Sequence, residues 1–480
     1  MKKMRKLLLT IISLVMVLVT FGGLTSSITA QEKEYTIGID GTFAPFTYVD
    51  EAGEFKGIDI DIFKAIAEDQ NINYTFQQMS FSGALQALEA NQIDGMIAGM
   101  AITPEREEAF TFADSYYEGG NMFAVRADSE ITNLEELEGK TVAAKTGTKG
   151  LQIAEDYQDE YGYDITIFED SANMYEAVMV GHADATIEVT AVMAFAIATG
   201  QVDLKQIGDD VDPSQMGFAI NDDANQPLVD RFNAGLANIR ANGTYDAILE
   251  DYLGEEAIQT QTEDAASGDL LGTSMPALLD GLWTTIWISV VTILISTIIG
   301  GIAGLMKVSD NKLAKGIATA YVYLMRGIPV LVFVFFVYFG VAQWFGVNFS
   351  PETAGVAALA INTGAYIAEI IRGGIESIAL GQSEAGRSLG LTKSQTMQKI
   401  VLPQAIKNMV PSFINQFIMT LKNTSILSVI GIIELTQSGK IIISRTYQSG
   451  NIWLIVGVMY LILITLLTIL SNYVEKKYLK

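Results

Sequence analysis

Two short stretches in the first half of the chain hold groups that could bind an anion. Arg106, in "AITPERE", is one of four arginines within residues 31–270. Its planar guanidinium can pair with a carboxylate through two parallel hydrogen bonds. The stretch "TGTKG", residues 146–150, can present backbone N–H groups at a helix start. Both have common structural alternatives, since such an arginine is often a surface or capping residue and such a stretch is often an ordinary turn.

A third stretch has a different chemistry. The segment "EAGRSLGLTKSQTMQKIVLPQA", residues 384–405, is polar, yet apolar segments of membrane-spanning length lie on both sides of it. Gly390 and Pro403 predict short helices, broken at the glycine and stopped before the proline. A compact knob of this kind between two spans is suited to docking into a partner protein.

Several kinds of site are excluded by residue types that the sequence lacks. The chain has no cysteine and one histidine, His182, which rules out disulfides, thiolate metal sites and a zinc site built from histidines. The tripeptide "GKT" at 139–141 lacks the upstream glycine of a phosphate-binding loop. We therefore expect no metal site, no bound cofactor and no ATP hydrolysis in this chain.

Charge divides the 480 residues into two unlike halves. The chain has a net charge of -25, but residues 31–270 hold 11 basic and 47 acidic side chains, whereas residues 271–480 hold 15 and 8. An acidic soluble half is thus joined to a mildly basic, apolar half, and at least two domains are expected. Nucleic acid is an unexpected partner, because the acidic half would repel phosphate.

The apolar segments predict a membrane protein. Residues 1–30 have the pattern of a secretory signal, with cleavage after Ala30 and an uncleaved anchor as the alternative. Five later segments approach or exceed the roughly 20 residues that a helix needs to cross the hydrocarbon core. These segments are 278–306, 317–345, 354–373, 409–431 and 451–473.

Basic residues predict the orientation, because short cytoplasmic connections are enriched in Lys and Arg. The first and third connections and the tail "EKKYLK" carry such residues, and the second connection carries none. The fourth connection, with Lys440 and Arg445, fits poorly and is expected to be partly interfacial. The acidic half is therefore predicted outside the cell, and the 384–405 segment and the C-terminus inside.

The acidic half alternates strand-like and helical patterns. "EYTIGID" predicts a strand and "GIDIDIFKAIAEDQ" an amphipathic helix, and this alternation continues. The pattern indicates an α/β domain of two lobes crossed twice by the chain. Lobe 1 is predicted at about 35–122 and 219–258, and lobe 2 at about 123–218. A cleft between two hinged lobes is a common place for a small ligand.

The same stretches resemble two known families. Residues 35–255 resemble the periplasmic binding proteins for polar amino acids, the glutamine-binding type most closely, in "FSGALQALEANQIDGMIAGMAITPERE", "FADSYYEGG" and "NGTYDAI". Residues 274–480 resemble the permease subunit of polar amino acid ABC transporters in "MRGIPVLVFVFFVYFG" and "GAYIAEIIRGGIESI". The resemblance implies a two-lobed periplasmic-binding-protein fold of type II at 31–258, a linker at 259–273 and an all-α, five-helix permease domain.

Carried over by position, the binding-protein resemblance implies how an amino acid would be held. Arg106, helped by Thr148, would bind the ligand's α-carboxylate. Phe43 and Phe81 would sandwich the aliphatic part of its side chain, and Gly99 would offer a backbone carbonyl to its ammonium group.

The polar end of the implied site departs from the family pattern. Asp40 and Lys145 would face the ligand's side chain. Glu188 and Val189 stand where the glutamine-binding type has a His-Asp pair, so that Glu188 is the candidate for the ammonium group. Ala101 stands where that type has a hydroxyl donor. These departures leave the particular amino acid open, with glutamine favoured.

The permease resemblance implies import of a polar amino acid, driven by a separate ATPase subunit that carries ATP and Mg. The 384–405 segment resembles the family's "EAA" loop, with Gly386 in place of the second alanine. A homodimer is expected, since five spans are few for a translocation path. The residues expected to couple to the ATPase are Glu384, Ala385, Gly386, Gly390, Leu402 and Pro403.

Polar residues within the spans are costly and therefore informative. Glu369 and Arg372, three residues apart, are predicted to pair on one helix face. Lys422 needs a partner or an aqueous cavity, and Asn362 and Thr363 are candidates for the translocation path.

Three other functions use related binding lobes. A ligand-gated channel would have membrane segments interrupting the lobes, and a membrane sensor would have a long signalling region after one span; neither fits this order of segments. A dehydratase-like enzyme would need a general acid or base in the cleft, for which Glu188 is the candidate, and product formation by the external domain would identify it.

Overall fold

The computed structural model describes residues 33–478 except 51, 222, 255–269, 342, 343, 345–348 and 447. The predicted signal segment, and most of the predicted linker, lie outside the described residues. The described chain is α/β up to residue 254 and helical from residue 270 onwards, which confirms the predicted fold class.

The α/β part is built from short strands and helices. Its strands are β1 Glu34–Ile39, β2 Thr42–Phe43, β3 Thr47–Val49, β4 Phe55–Lys56, β5 Asn73–Gln78, β6 Gly95–Met96, β7 Thr111–Phe112, β8 Tyr117–Arg126, β9 Thr141–Lys145, β10 Asp164–Phe168, β11 Ala185–Val189, β12 Leu204–Met216 and β13 Ala219–Ile220. Its α-helices are α1 Ile58–Gln70, α2 Phe81–Glu89, α3 Pro104–Ala109, α4 Lys149–Tyr161, α5 Ser171–Met179, α6 Thr190–Ala198, α7 Gln226–Ala241 and α8 Thr244–Leu253.

Two five-stranded sheets define two lobes. The sheet of lobe 1 has the order β5-β1-β6-β13-β7, and that of lobe 2 the order β10-β9-β11-β8-β12. The chain passes into lobe 2 along β8 and returns along β12, which pairs with β8 in antiparallel fashion. Strand β13 then joins the sheet of lobe 1 between β6 and β7. The chain therefore crosses between the lobes twice, and the lobes can hinge about these two strands.

Each lobe has its own apolar core. In lobe 1 the apolar face of α1, which includes Ile62 and Phe63, is buried against α7 and the sheet. The rings of Phe218 and Phe232 stack there with centroids 4.9 Å apart. In lobe 2, Phe123 of β8 lies in a separate buried cluster with side chains of β9, α4 and β11. Separate cores let each lobe move as a rigid body.

The helical part runs from residue 270 to residue 478. Its α-helices are α9 Leu270–Lys307, α10 Lys312–Gly327, α11 Val330–Phe335, α12 Pro351–Glu376, α13 Leu380–Ser388, α14 Lys393–Thr396, α15 Leu402–Asn423, α16 Leu435–Thr446 and α17 Ser449–Tyr478.

Three of these helices are long and apolar enough to cross a membrane, over Ser274–Lys307, Pro351–Glu376 and Ser449–Ser471. The second and fourth predicted spans fall on pairs of helices that bend by 108° and 46°. Counting each bent pair as one span gives up to five. The sharper bend follows Gly327 at the "GIP" sequence, because a proline disfavours a helical conformation in the residue before it.

The helical run around Pro403 differs from the prediction. Helix α15 begins at Leu402, with Pro403 in its first turn, and the preceding residues Met397–Val401 form a π-helical turn. The helix was predicted to stop before this proline, and that prediction is wrong. The wider turn makes room for the proline ring, whose missing N–H and bulk would disrupt an α-helical turn.

Both lobes contact the helical part. In lobe 1, the Gln77 side-chain amide donates a hydrogen bond to the Tyr338 hydroxyl at 2.9 Å. In lobe 2, Ala172 of α5 is buried in one cluster with Leu278 of α9 and Leu435 of α16. A change in the angle between the lobes must therefore alter at least one of these contacts.

Candidate functional site

A cavity between the lobes brings most of the predicted site residues together. It is lined by Phe43, Phe81, Ala98, Gly99, Ala101, Arg106, Lys145, Thr148, Lys149, Gly150, Glu188, Val189 and Ser214. Of the nine predicted residues, only Asp40 does not line the cavity, and it contacts Lys145. The remaining space is about 20 Å³, about enough for one water molecule.

Arg106 bridges the two lobes. The Thr103 hydroxyl caps α3 by accepting from the Arg106 backbone N–H at 3.3 Å, which positions the side chain at the cleft. The guanidinium donates to the Ala101 carbonyl at 2.6 Å and to the Gly147 carbonyl of lobe 2 at 2.8 Å. Burial lowers the pKa of Arg106 to about 10. The group therefore stays charged at neutral pH, as carboxylate binding requires.

Thr148 brings the positive end of a helix to the same place. It is the N-cap of α4, and its hydroxyl accepts from the Leu151 N–H at 3.2 Å and donates to the Lys145 carbonyl at 2.7 Å. Gly147, just before it, has a φ of +72°, which glycine adopts without strain. The helix N-terminus and Arg106 together form a favourable environment for a carboxylate.

Lys145 and Asp40 form a buried ion pair across the cleft. The Lys145 ammonium lies 2.6 Å from an Asp40 carboxylate oxygen, and the two side chains are 3% and 2% exposed. The ammonium is 5.1 Å from the ring centroid of Phe43 and 6.0 Å from that of Phe81. Burial acts to lower the pKa of Lys145, but the nearby carboxylates of Asp40 and Glu188 outweigh it and raise the pKa.

Glu188 lies on the lobe 2 side of the cavity and is 4% exposed. One of its carboxylate oxygens accepts from Ser171 at 2.9 Å and Tyr175 at 3.1 Å, and the other accepts from the Val189 N–H at 3.0 Å. Burial raises the pKa of Glu188, and the Lys145 ammonium works in the opposite direction. The carboxylate retains lone pairs that could accept from a ligand.

The backbone of Gly99 is held by Asp59, a residue that the sequence analysis did not identify. The φ of Gly99 is +59°, and a Cβ there would lie 2.5 Å from the Phe43 ring, so that only glycine fits. Its N–H donates to the Asp59 carboxylate at 2.6 Å. Asp59 is fully buried, and burial raises the pKa of its carboxyl group to about 7. The available signal was an acidic residue between Ile58 and Ile60, within the apolar pattern of α1.

The segment predicted to couple to an ATPase is compact and largely exposed. Glu384 and Ala385 lie on α13, and Gly390 follows with a φ of +85°. Gly386 is buried, and a Cβ there would lie 2.7 Å from Ile400 and 3.0 Å from Thr396, which accounts for glycine in place of alanine. Leu380 and Leu389, at the two ends of this helix, are 80% and 82% exposed.

Four of the polar residues singled out within the spans have structural partners, whereas the Lys422 side chain is exposed. Glu369 pairs with Arg372 at 2.9 Å, as predicted, and also with Lys307. Asn362, proposed for the path, donates to the Met325 carbonyl at 2.9 Å and is 2% exposed. Thr363 is likewise buried, within 3.4 Å of the Thr420 hydroxyl. Both therefore join helices to each other.

Acidic and histidine side chains are not clustered for metal binding among the residues that the structure describes. The arrangement in the cleft instead suits a small zwitterion. Arg106 and the start of α4 can take a carboxylate, and the Gly99 carbonyl and Glu188 can accept from an ammonium group. The Asp40–Lys145 pair offers both a donor and an acceptor to a side chain.

Two family descriptions match the chain. Residues 35–255 match the bacterial extracellular solute-binding proteins of family 3, and residues 274–480 match the inner membrane component of binding-protein-dependent transport systems. The glutamine transport system permease protein GlnP of Escherichia coli is 38% identical over 205 residues, which are 42% of this chain and 94% of GlnP. The probable glutamine ABC transporter permease protein GlnM of Bacillus subtilis is 39% identical over 199 residues, 42% of this chain and 92% of GlnM.

Two solved structures each match nearly half of the chain. An ancestral arginine-binding protein bound to glutamine is 31% identical, with a TM-score of 0.44, and covers 47% of this chain and 100% of its own. Substrate-binding domain 2 of Lactococcus lactis GlnP, in an open conformation, is 33% identical, with a TM-score of 0.37, and covers 47% of this chain and 98% of its own.

We predict that Asp59→Asn changes how stability depends on pH. The native pKa of about 7 exceeds the ordinary aspartate value of 3.8, so that between these pH values the unfolded chain loses this proton while the folded chain keeps it. Wild-type stability therefore falls as pH rises through this range, by up to about 1.4 kcal/mol per pH unit from this group. The amide can still accept from Gly99 but does not ionise.

The measurement is the thermal unfolding midpoint of the purified full chain at pH 5.0 and pH 7.5. The midpoint of Asp59→Asn minus that of the wild type should be larger at pH 7.5 than at pH 5.0. Identical differences at both pH values would show that Asp59 does not titrate in this range.

Proposed function

The chain belongs to the inner-membrane permeases of amino acid ABC transporters, fused here to a solute-binding domain, and we propose that it captures glutamine and passes it to its own membrane domain. It is a multi-pass transport subunit for amino acid import and not an enzyme. Glutamine as the preferred ligand, the ATPase partner, the orientation and the dimer are the proposed elements.

The convergence of Arg106, Gly99 and the Asp40–Lys145 pair on one cleft carries this proposal. A free amino acid has a carboxylate, an ammonium group and a side chain, and each has a complementary group there. With about 20 Å³ between the side chains, an amino acid can enter only when the lobes separate. Closure then removes the ligand from water and strengthens each polar contact.

The ion pair favours a neutral, polar ligand side chain. Asp40 and Lys145 neutralise each other in a nearly water-free environment, so that a charged side chain beside them would be buried without its own counter-charge. An amide can donate to a carboxylate and accept from an ammonium group at the same time. Glutamine meets these requirements, and the flanking phenyl rings of Phe43 and Phe81 suit its methylene groups.

The remaining partners follow from the exposed segment on α13. We infer that the exposed side chains of Leu380 and Leu389 dock into a separate ATPase, which carries ATP and Mg, while this chain holds no cofactor. The predicted topology places this segment in the cytoplasm and the binding domain outside. Two copies of the chain would then form the path, since three straight helices and two bent pairs enclose little space alone.

Arg106→Ala should abolish high-affinity glutamine binding by the full chain. Leaving a buried carboxylate without its cation costs about 2–5 kcal/mol, which is at least about thirtyfold in affinity. Isothermal calorimetry measures this, and Arg126→Ala is the matched control, because Arg126 is paired with Asp128 on the surface. Unchanged affinity in Arg106→Ala would refute the carboxylate assignment.

Asp40→Asn should shift selectivity towards glutamate. The substitution leaves the Lys145 ammonium buried without its carboxylate, so that an anionic ligand side chain can replace it. We expect the ratio of glutamate to glutamine affinity to rise by roughly tenfold or more. Competition calorimetry would measure this ratio, with Asp128→Asn as the control. An unchanged ratio would show that the ion pair does not determine which ligand side chain is preferred.

Leu389→Asp should uncouple ATP hydrolysis from glutamine uptake in vesicles that contain the chain and its ATPase. A carboxylate buried at an apolar contact should weaken docking by roughly tenfold or more. Glutamine affinity should be unaffected, and Leu389→Met should behave like the wild type. Normal uptake by the Asp variant would exclude this surface from coupling.

A further inference from the structure

A polar pocket lies at the end of the helical part that is remote from the binding domain. It has a volume of about 410 Å³ and is lined by Lys307, Val322, Tyr323, Arg326, Gly327, Tyr366 and Glu369. Lys307 ends α9, whose Leu278 packs against the binding domain. Lys307 is 29 positions beyond Leu278, or about 44 Å along the helix, so that the pocket is near the opposite boundary of the bilayer.

One cationic side chain at this pocket is not part of an ion pair among the described residues. Glu369 is engaged by both Lys307 and Arg372, and Arg372 also pairs with Glu376. Arg326 has no ion-pair partner within the described part of the chain. Its guanidinium lies 5.3 Å from the centroid of the Tyr366 ring. This cation–π contact orients the guanidinium but provides no hydrogen-bond acceptor for its N–H groups.

Apolar side chains are exposed beside the pocket. On α10, Ile317 is 56% exposed and Leu324, next to the lining residue Tyr323, is 58% exposed. Tyr323, which lines the pocket, is 76% exposed. An unpaired guanidinium beside exposed aliphatic groups matches a ligand with an anionic head and apolar tails.

We propose that this pocket binds an anionic phospholipid in the leaflet remote from the binding domain. Arg326 donates two hydrogen bonds to the phosphate oxygens, in the bidentate geometry that guanidinium groups form with phosphate. Tyr323 and Tyr366 line the same pocket, and the acyl chains run along the exposed side chains of α10. Basic pockets between membrane helices are a known mode of anionic lipid recognition. This site is independent of glutamine recognition in the cleft.

The test uses the purified full chain in detergent micelles and its thermal unfolding midpoint. Added phosphatidylglycerol should raise the midpoint, and phosphatidylcholine should not. Arg326→Gln should weaken the apparent affinity for phosphatidylglycerol by roughly tenfold or more. The matched control is Lys315→Gln, an exposed basic residue on the same helix that does not line the pocket, and this variant should respond like the wild type.

Calorimetric glutamine binding by each variant shows that it is folded, and Arg326→Gln should bind like the wild type. Four results would overturn the proposal. An equal response to inorganic phosphate would identify a free-anion site. An Arg326-dependent response to glutamine, with none to lipid, would place the pocket on the translocation path. No response of the wild type to phosphatidylglycerol, or an equal loss in Lys315→Gln, would exclude a specific lipid site.

Discussion

The buried ion pair between Asp40 and Lys145 is the interaction on which the closed binding domain depends. Asp40 belongs to lobe 1 and Lys145 to lobe 2, and their charged atoms are 2.6 Å apart with almost no exposure. Removing two charges from water costs several kcal/mol each, and their attraction offsets this only when the geometry is good. The closed arrangement of the two lobes therefore depends on an intact ion pair. A ligand group that enters beside the pair must provide hydrogen-bond partners for both side chains.

Arg106 and Glu188, the charged groups on either side of the ion pair, also have partners in the cleft. The Arg106 guanidinium reaches Gly147 across the cleft, and Glu188 accepts from Ser171 of α5. The next residue, Ala172, packs against the membrane helices. Bonds made in the cleft and contacts made with the membrane domain thus belong to the same short segment, and lobe 1 adds the hydrogen bond between Gln77 and Tyr338.

Much of the site could be predicted from residue types, because certain groups have few substitutes. An arginine fork, a glycine with positive φ and a threonine N-cap are local features that resemblance and spacing can locate. The structure brings them together as expected, while their contacts with a ligand stay predictions. Asp59 was missed because its role depends on burial, and burial depends on how α1 packs against the sheet. The continuous helix through Pro403 was also mispredicted, since a π-helical turn is not evident from composition.

The sequence by itself determined the division into an acidic α/β half and an apolar helical half, because charge and hydropathy act residue by residue. It also determined which motifs could hold an amino acid. Only the tertiary structure decided that Lys145 pairs with Asp40, that Asn362 and Thr363 join helices, and that Arg326 has no carboxylate partner among the described residues. Such outcomes depend on distances between residues far apart in the chain, which packing sets and local sequence does not encode.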